Sequence, residues 1–495
     1  MNLDQHIAQL IAYAKVHLGL KERDELYARN RILDALSVTS YREAKLDAIP
    51  DLPDEILQGI FACLEQEGRE FDAATLGEKL MDAVMPRPSE FEETFSQKYA
   101  LSPKAATEWA YDFAIRSDYV KKSAIDKNLK WTSKGGKIEI TINLSKPEKN
   151  NKDLKKQLTQ VSTDYPTCII CRDNEGFERA GFSRRNMRTL SMRLHGEEWF
   201  WQYSPYAYFN EHGIAISVEH TPMVLNENTA EHLFDFVEKF PHYFIGNNAP
   251  LPRVGGSILM HNHYQGGGTV LPMQKAGYAR EYKSAKFKSV KIGVLDWYNT
   301  ALRIEGRDRK EIALLAKDVF TAWEIYENPA LDLLACTGEE KHNTASLIAR
   351  KSKDGYILDM ILRNNRTSEK YPDGIFHAHR EYHHIKSESI GLIEAMGLFI
   401  LPARLKRQLG EVKDYVTGAK KYEEKALGED MKIFIPTIQR LMKGGTLSES
   451  EAEDALRDEV ESACENILGN TAVFKPDEEG QAALKAFLLS CGLRD

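Results

Sequence analysis

VGGSILMHNHYQGGGTV, residues 254–270, places two histidines and a glutamine at alternating positions between runs of glycine. Successive side chains of a β-strand point to opposite faces, so on a strand His261, His263 and Gln265 would share one face. We therefore predict a strand here that presents two imidazoles and an amide side by side. A glycine-bracketed strand end with surface histidines would give the same pattern, and that alternative stays open.

The residue types in this segment suit chemistry on an anion. Histidine has a large neutral fraction at neutral pH, so it can serve as a nucleophile or a metal ligand without special activation. Gln265 adds an amide donor for a phosphoryl oxygen. Residues without a Cβ let backbone N–H groups approach an anion closely. The flanking glycines are Gly255, Gly256, Gly266, Gly267 and Gly268.

The periodicity of the chain changes on both sides of this segment. EHGIAISVEH and GYILDMILRNN repeat apolar residues at every second position, and KIEITINLS does so at 137–145, which predicts strands. TAEHLFDFVEKF has the spacing of a helix, as do long stretches near both termini. We predict an α+β protein whose N- and C-terminal extensions are helical.

Length and this change of pattern suggest a division of the chain. A chain of 495 residues is long enough for about three structural units. We predict a mostly helical region over 1–155 that ends in a strand, followed by a strand-rich region over 156–300. A second strand-rich region is expected over 301–410, and a helical region over 411–495.

Composition narrows the classes of function. The net charge of -8 is spread thinly along the chain and does not favour a nucleic-acid partner. The first helical segment lacks the basic start of a signal peptide, and the apolar stretch at 390–405 is too short and too interrupted to span a bilayer. Six cysteines are too few for a disulfide framework. We expect a cytoplasmic protein without a nucleic-acid or membrane partner.

A second candidate site lies in YPTCIICRDNEG. Cys168 and Cys171 have the two-residue gap that lets both thiolates reach one zinc ion. The motif supplies only half of a ligand set, so a reduced or redox-active thiol pair is the alternative. His220, which ends GIAISVEH, and His261 would complete a tetrahedral site for structural zinc.

A third candidate is GIFHAHREYHHIKSES, which holds His377, His379, His383 and His384. Four histidines so close together favour a second metal or an anion site, but a polar strand end before a helix would look the same. Basic side chains near these segments are candidates to neutralise phosphates, although each alone also fits a solvated surface charge. They are Arg184, Arg185, Arg188, Arg363, Arg366 and Lys386.

Several long segments of the chain resemble one known family. KIEITINLSKPEK, YPTCIICRDNEG, QYSPYAYFNEHGIAISVEHTPM, VGGSILMHNHYQGG, HNTASLIARK, LRNNRTSEKYPDGIFH and HHIKSESIGLIEAMGLFILPARL occur in the order seen in class II galactose-1-phosphate uridylyltransferases. The resemblance covers about residues 130–410. It implies the α+β fold of the histidine-triad superfamily, with antiparallel sheets in two histidine-triad-like halves over 156–300 and 301–410.

The resemblance also implies an activity and a set of site residues. It implies ping-pong transfer of a uridylyl group from UDP-glucose to galactose 1-phosphate through a uridylyl-histidine, as part of galactose metabolism. His263 would be the nucleophile and Gln265 the amide that holds the phosphoryl group. The implied ligands of a structural zinc are Cys168, Cys171, His220 and His261, the implied substrate-binding residues are Arg188, Asn186, Gly256, Ser257 and Lys386, and the implied assembly is a homodimer.

The chain departs from the family pattern at two places. Asn262 precedes His263, where class I members have proline and class II members often have aspartate. His377 and His379 match the H-x-H of a second metal site in class I, but the glutamate of that site has no clear counterpart, so a second metal is left open. The alternatives are another histidine-triad nucleotidyltransferase or phosphorylase, or a non-catalytic protein stabilised by zinc.

Overall fold

The computed structural model describes residues 1–44, 48–145, 165–179, 182–256 and 258–495. The domain boundary predicted near residue 155 lies outside these ranges. The helices within the described residues are α1 Leu3–His17, α2 Glu25–Ala35, α3 Asp54–Gln66, α4 Ala73–Val84, α5 Pro88–Leu101, α6 Pro103–Arg116, α7 Lys122–Ile125, α8 Thr229–Lys239, α9 Arg309–Glu324, α10 Leu392–Ala395, α11 Arg404–Val416, α12 Ile435–Met442, α13 Glu449–Thr471 and α14 Glu478–Ser490.

The strands begin near residue 129 and fill the middle of the chain. They are β1 Leu129–Thr132, β2 Glu139–Asn143, β3 Glu178–Arg179, β4 Phe182–Ser183, β5 Leu190–Leu194, β6 Glu197–Tyr203, β7 Gly213–Ser217, β8 Phe244–Asn247, β9 His263–Gly267, β10 Tyr278–Ser284, β11 Lys291–Leu295, β12 Ala301–Gly306, β13 Cys336–Thr337, β14 Glu340–Lys341, β15 Asn343–Ser352, β16 Gly355–Asn364, β17 Leu398–Pro402 and β18 Leu493–Arg494. The predicted α+β class with helical ends is confirmed.

One large antiparallel sheet forms the centre of the molecule. Among the described residues it has eleven strands in the order β18-β10-β11-β12-β16-β15-β8-β9-β7-β6-β5. Neighbouring strands pair antiparallel throughout this order. The boundary proposed between 300 and 301 falls in the short connection between β11 and β12, which are paired neighbours. Both strand-rich regions therefore contribute to one sheet.

The two faces of this sheet pack against different parts of the chain. One face carries side chains such as Ile245 and Leu347 into a large core shared with α8, α9 and the N-terminal helices. The opposite face carries Phe244, Ile348 and Ile361 into a second core with the C-terminal helices. A small third cluster around Ile170, Phe200 and Ile216 covers the same face near β6 and β7.

A second sheet brings distant segments together. β2 pairs antiparallel with β1 and parallel with β17, which follows it by more than 250 residues. The alternating isoleucines of β2 are buried in the second core. The strand predicted over 137–145 is thus confirmed, in a shorter form. No helix in the described ranges is long and apolar enough to cross a membrane.

The strand that carries the H-x-H-x-Q segment is shorter than the sequence indicates. β9 begins at His263, whose register partner on β7 is Ile216. The preceding residues form a turn, and Asn262 is held by backbone hydrogen bonds to Thr221 and Ser217. The prediction that His261 shares a strand face with His263 is therefore wrong, because the chain turns away from the sheet before His263.

Candidate functional site

His263 is a buried histidine whose tautomer is set by its surroundings. It is 5% exposed and opens β9. Its Nδ1 lies 2.8 Å from the backbone carbonyl oxygen of His261. A carbonyl can only accept, so Nδ1 carries the proton and Nε2 keeps its lone pair. Burial lowers the pKa of His263 to about 4. The ring is therefore neutral near pH 7, with Nε2 available as a nucleophile.

Gln265 lies on the same face of β9, two residues further on. Its Oε1 is 3.4 Å from Nε2 of His212, a buried residue just before β7. The backbone N–H of Tyr208 donates to Nδ1 of His212, so the proton of that ring is on Nε2 and points to Gln265. The amide oxygen is thereby occupied and the NH2 group remains a donor.

His212 was missed by the sequence analysis, although it stands in a quoted motif. Burial lowers its pKa to about 4, so it stays neutral. The ring of Tyr208 stacks on it, with 4.9 Å between the centroids. Its relevance follows from the pairing of β7 with β9, which places Ile214 opposite Gln265. Only the strand register, which periodicity does not provide, could have identified it.

Four side chains converge beside the start of β9. The ligand atoms of Cys168, Cys171, His220 and His261 all lie within 4.8 Å of one another. Sγ of Cys168 is 3.4 Å from Sγ of Cys171 and 3.2 Å from Nδ1 of His261, and Sγ of Cys171 is 3.2 Å from Nδ1 of His220. Tetrahedral zinc places such atoms about 3.3–3.8 Å apart. The three segments predicted to share a site, which carry Cys168 and Cys171, His220, and His261, are thus brought together.

The surroundings of this cluster prepare its atoms for a metal. Nε2 of His261 donates to the carbonyl oxygen of Ser217 at 2.8 Å, which leaves Nδ1 as the ligand atom. The side chain of Asn174 donates to the carbonyl oxygens of Cys168 and Cys171 and fixes the turn between them. The Cys171 thiol donates to Cys168 and so lowers the pKa of Cys168 to about 7. A Cys2His2 donor set of this kind fits zinc.

The glycines around the segment have a more local role than the sequence suggests. A Cβ on Gly266 would collide with the carbonyl oxygen of Phe244 on β8, and Gly267 has a φ of +153° against the backbone of Glu211. The space at these two glycines is filled by the chain itself and allows close strand pairing. The expectation that the flanking glycines let backbone N–H groups approach an anion stays a prediction.

The side chains implied to bind substrate make contacts within the protein. Arg188 donates to the carbonyl oxygen of Pro86 and to the carboxylate of Asp82, and Asn186 donates to the carbonyl oxygen of Ser117. These partners belong to the N-terminal helical region.

The other implied substrate contacts are placed as follows. Nζ of Lys386 is 2.6 Å from Glu394. A Cβ on Gly256 would press on the side chain of Leu259. Ser257 lies outside the described residues. The role of these residues in substrate binding stays a prediction.

The four histidines of HAHREYHH do not form a cluster. Nε2 of His379 bonds to the carbonyl oxygen of Ile375, and Nε2 of His383 to that of Ala378. His384 pairs with Glu459 at 2.8 Å. Within the described part of the chain, the only group of three or more potential ligands is the one around Cys168. The geometry therefore favours a polar chain segment over a second metal site.

Comparison with known proteins gives one consistent result. Residues 19–222 match the family model for galactose-1-phosphate uridyl transferase, N-terminal domain, and residues 231–425 match that for the C-terminal domain. A protein of Halalkalibacterium halodurans named galactose-1-phosphate uridylyltransferase is 40% identical, with 97% of each chain covered. Its namesake in Caldanaerobacter subterraneus is 38% identical, covering 99% of this chain and 98% of that protein. The N-terminal match ends at residue 222 and the C-terminal match begins at residue 231, and the division of the chain predicted from the sequence remains untested.

Proposed function

This chain belongs to the galactose-1-phosphate uridylyltransferase family, and from that premise we propose that it transfers the uridylyl group of UDP-glucose to galactose 1-phosphate. The products are UDP-galactose and glucose 1-phosphate. The observation that carries the proposal is the neutral, buried His263, whose Nδ1 is tied to the carbonyl of His261 and whose Nε2 is available.

The proposed reaction is a double displacement at one phosphorus atom. Nε2 of His263 attacks the α-phosphorus of UDP-glucose, an N–P bond forms, and the bond from that phosphorus to the bridging oxygen breaks. Glucose 1-phosphate leaves with the electron pair. Galactose 1-phosphate then attacks the uridylyl-histidine and returns the nitrogen lone pair to His263.

No proton transfer is needed in either half of this cycle. The uridylylated imidazole keeps its proton on Nδ1 and carries a positive charge, which the carbonyl oxygen of His261 stabilises at 2.8 Å. The site therefore binds a cationic intermediate through a bond that already exists in the free protein. This pre-organisation is a form of electrostatic catalysis.

The reaction also requires that the uridylyl group is transferred to a sugar phosphate and not to water. Gln265 fits this requirement. His212 occupies its oxygen, so the amide presents N–H donors to the phosphoryl oxygens. An amide has no titratable proton near neutral pH and cannot act as a general base on water. The intermediate is then preserved for the acceptor.

We further propose that Cys168, Cys171, His220 and His261 hold a structural zinc ion. Zinc bound there would supply rigidity and fix the backbone of His261, whose carbonyl oxygen orients His263. The homodimer implied by the resemblance also stays a prediction, which sedimentation in solution would check.

Labelling with UDP-glucose tests the nucleophile directly. Purified protein incubated with UDP-glucose labelled in the uridylyl group is expected to retain acid-labile, base-stable label, and addition of glucose 1-phosphate is expected to release it. His263→Ala should retain none, and His377→Ala, which alters the other H-x-H segment, should label normally. Absence of label in the wild type, or equal label in His263→Ala, would contradict the covalent route.

A further inference from the structure

One arginine on the sheet differs from every other basic candidate near the site. Arg185 pairs with Glu178 at 2.6 Å, Arg366 donates to Asp332, and Arg184 donates to the hydroxyl of Tyr119. Each of these three side chains has a partner in the protein, and each is only partly buried. Arg363, on β16, is 1% exposed, and its Nη1 donates to the carbonyl oxygen of Ile390 at 3.1 Å.

The remaining donors of Arg363 are unsatisfied. Within the part of the chain that the structure describes, its Nε and Nη2 are buried without a hydrogen-bond partner. A buried cation with unpaired donors is costly, since neither water nor a counter-charge compensates its desolvation. Burial lowers the pKa of Arg363 to about 10, and the nearby charge of Glu394 opposes this shift. Such a group points to a ligand that supplies the missing acceptors.

The carboxylate whose charge acts on Arg363, that of Glu394, is already committed to other donors. One oxygen of Glu394 lies 2.6 Å from Nζ of Lys386, and the other accepts from the backbone N–H of Gly391 at 2.9 Å. Lys386 and Glu394 neutralise each other, so the charge of Arg363 remains in excess. An anion is the ligand that this local balance of charge favours.

Strand register places Arg363 on the face that carries the proposed nucleophile. Gln265 pairs with Gly246 on β8, and Gly246 pairs with Ile348 on β15. Ile348 pairs with Asp359 on β16, four residues before Arg363. Directly opposed residues and every second residue along a strand share a face, so Arg363 faces the same side as His263 and Gln265. Three strand spacings, about 14 Å, separate β9 from β16.

A second contact ties Arg363 to the glycine pair of the opening motif. Ile390, whose carbonyl oxygen accepts from Arg363, lies next to Gly255, where a Cβ would be 3.2 Å from that oxygen. Gly255 has a φ of +137°, a backbone conformation that residues other than glycine rarely adopt. The backbone of this motif thus passes close to the guanidinium group.

We propose that Arg363 binds the phosphate of the hexose 1-phosphate, which is the leaving group in the first half-reaction and the attacking group in the second. This inference rests on the proposed function. Gln265 serves the phosphoryl group that is transferred, and Arg363 serves the phosphate that departs and returns. The planar guanidinium offers two free donors to phosphate oxygens, a pairing that lysine would not reproduce.

Paired substitutions separate this role from a structural one. In Arg363→Met the melting temperature without ligand is expected to be unchanged or higher, because an unpaired buried charge is replaced by an apolar side chain. The KM for galactose 1-phosphate is expected to rise about 10-fold to 100-fold. Stabilisation by glucose 1-phosphate in thermal melts should be lost, while stabilisation by UMP should persist.

Arg303 provides the matched control, since it is a buried arginine on the same sheet face. Its guanidinium bonds to the carboxylate of Asp359 at 2.6 Å and to the carbonyl oxygen of Ala276 at 2.8 Å. Arg303→Met is therefore expected to lower the melting temperature and to leave the KM for galactose 1-phosphate unchanged. Arg363→Lys should restore part of the lost affinity.

Each result decides the proposal. If Arg363→Met folds and retains wild-type KM and wild-type stabilisation by glucose 1-phosphate, the arginine does not bind that phosphate. If Arg363→Met melts lower than the wild type or fails to fold, the arginine is a structural residue like Arg303. Failure of the proposed function would look different, because the wild type itself would then form no uridylyl-histidine.

Discussion

Two segments of this protein share the pattern H-x-H, and the fold uses them in opposite ways. His263 starts β9 and His261 lies just before it, and each ring has a defined partner: His261 faces the two cysteines and His263 bonds to the backbone. His377 and His379 precede a short turn, and the ring of His379 bonds to a carbonyl oxygen within its own segment. Spacing alone therefore does not distinguish a site from a polar loop.

Long-range packing accounts for the difference. β9 is paired on both sides, with β7 and β8, so its side chains have fixed positions relative to the sheet. Ile170, between the two cysteines, packs on Phe200 and Ile216 and brings the CxxC turn onto the same face. The HAH segment, residues 377–379, follows β16 but is not itself part of a strand. Its rings are satisfied locally and point to no common centre.

The largest expected contrast is in turnover. His263→Ala should lower the rate of uridylyl exchange by more than about 10⁴-fold, since the nucleophile is lost. His379→Ala should stay within a few-fold of the wild type, because its ring contacts the backbone of Ile375, the ring of Tyr371 and the carboxylate of Glu381, none of which belongs to the proposed site. Exchange between UDP-glucose and labelled glucose 1-phosphate measures both. Comparable losses in the two variants would remove the distinction between the segments.

The second contrast is in metal content. Elemental analysis should find about one zinc per chain in the wild type and in His379→Ala, and little in Cys171→Ser. Loss of the ion, by this substitution or by a strong chelator, should lower the melting temperature by on the order of 10 °C, because a structural metal stabilises the folded state. Zinc bound equally by Cys171→Ser would place the ion elsewhere.

The sequence predicted the elements of the fold better than their partners. GYILDMILRNN and TAEHLFDFVEKF became β16 and α8 because alternation and helical spacing act locally. The pairing of β2 with β17 depends on contacts across most of the chain and has no local signal. For the same reason CxxC, His220 and His261 could be joined by ligand chemistry, whereas His212 and Arg363 required the register of the strands.

A third contrast concerns His212, the residue that supports Gln265. The HAH segment has no counterpart of His212. His212→Ala should lower kcat about 10-fold to 100-fold and change the KM for UDP-glucose little, because the amide remains but loses its orientation. His212→Gln, which keeps a donor, should recover part of the rate.

His232 is a suitable control for His212. It is also buried, but it bonds to Tyr264 on the opposite face of β9. His232→Ala is expected to affect stability more than kcat. A kcat equally reduced in His232→Ala would show that His212 acts only through general packing of β9.

The smallest effect is a difference in acid stability within the HAH segment. Burial lowers the pKa of His377 to about 4, with the charge of Arg363 acting in the same direction and that of Asp373 against it. The unfolded chain, with a pKa near 6.5, then binds a proton that the folded chain excludes between pH 6.5 and 4. The stabilisation that comes from a neutral His377 is fully present above pH 6.5. It is lost as the pH falls through that range, and the free energy of unfolding is lowered by about 2 kcal/mol at pH 5. His377→Phe should therefore lose less stability than the wild type between pH 7 and 5 in urea melts. Parallel curves for His377→Phe and the wild type would mean that His377 accepts a proton in the folded state as readily as in the unfolded one.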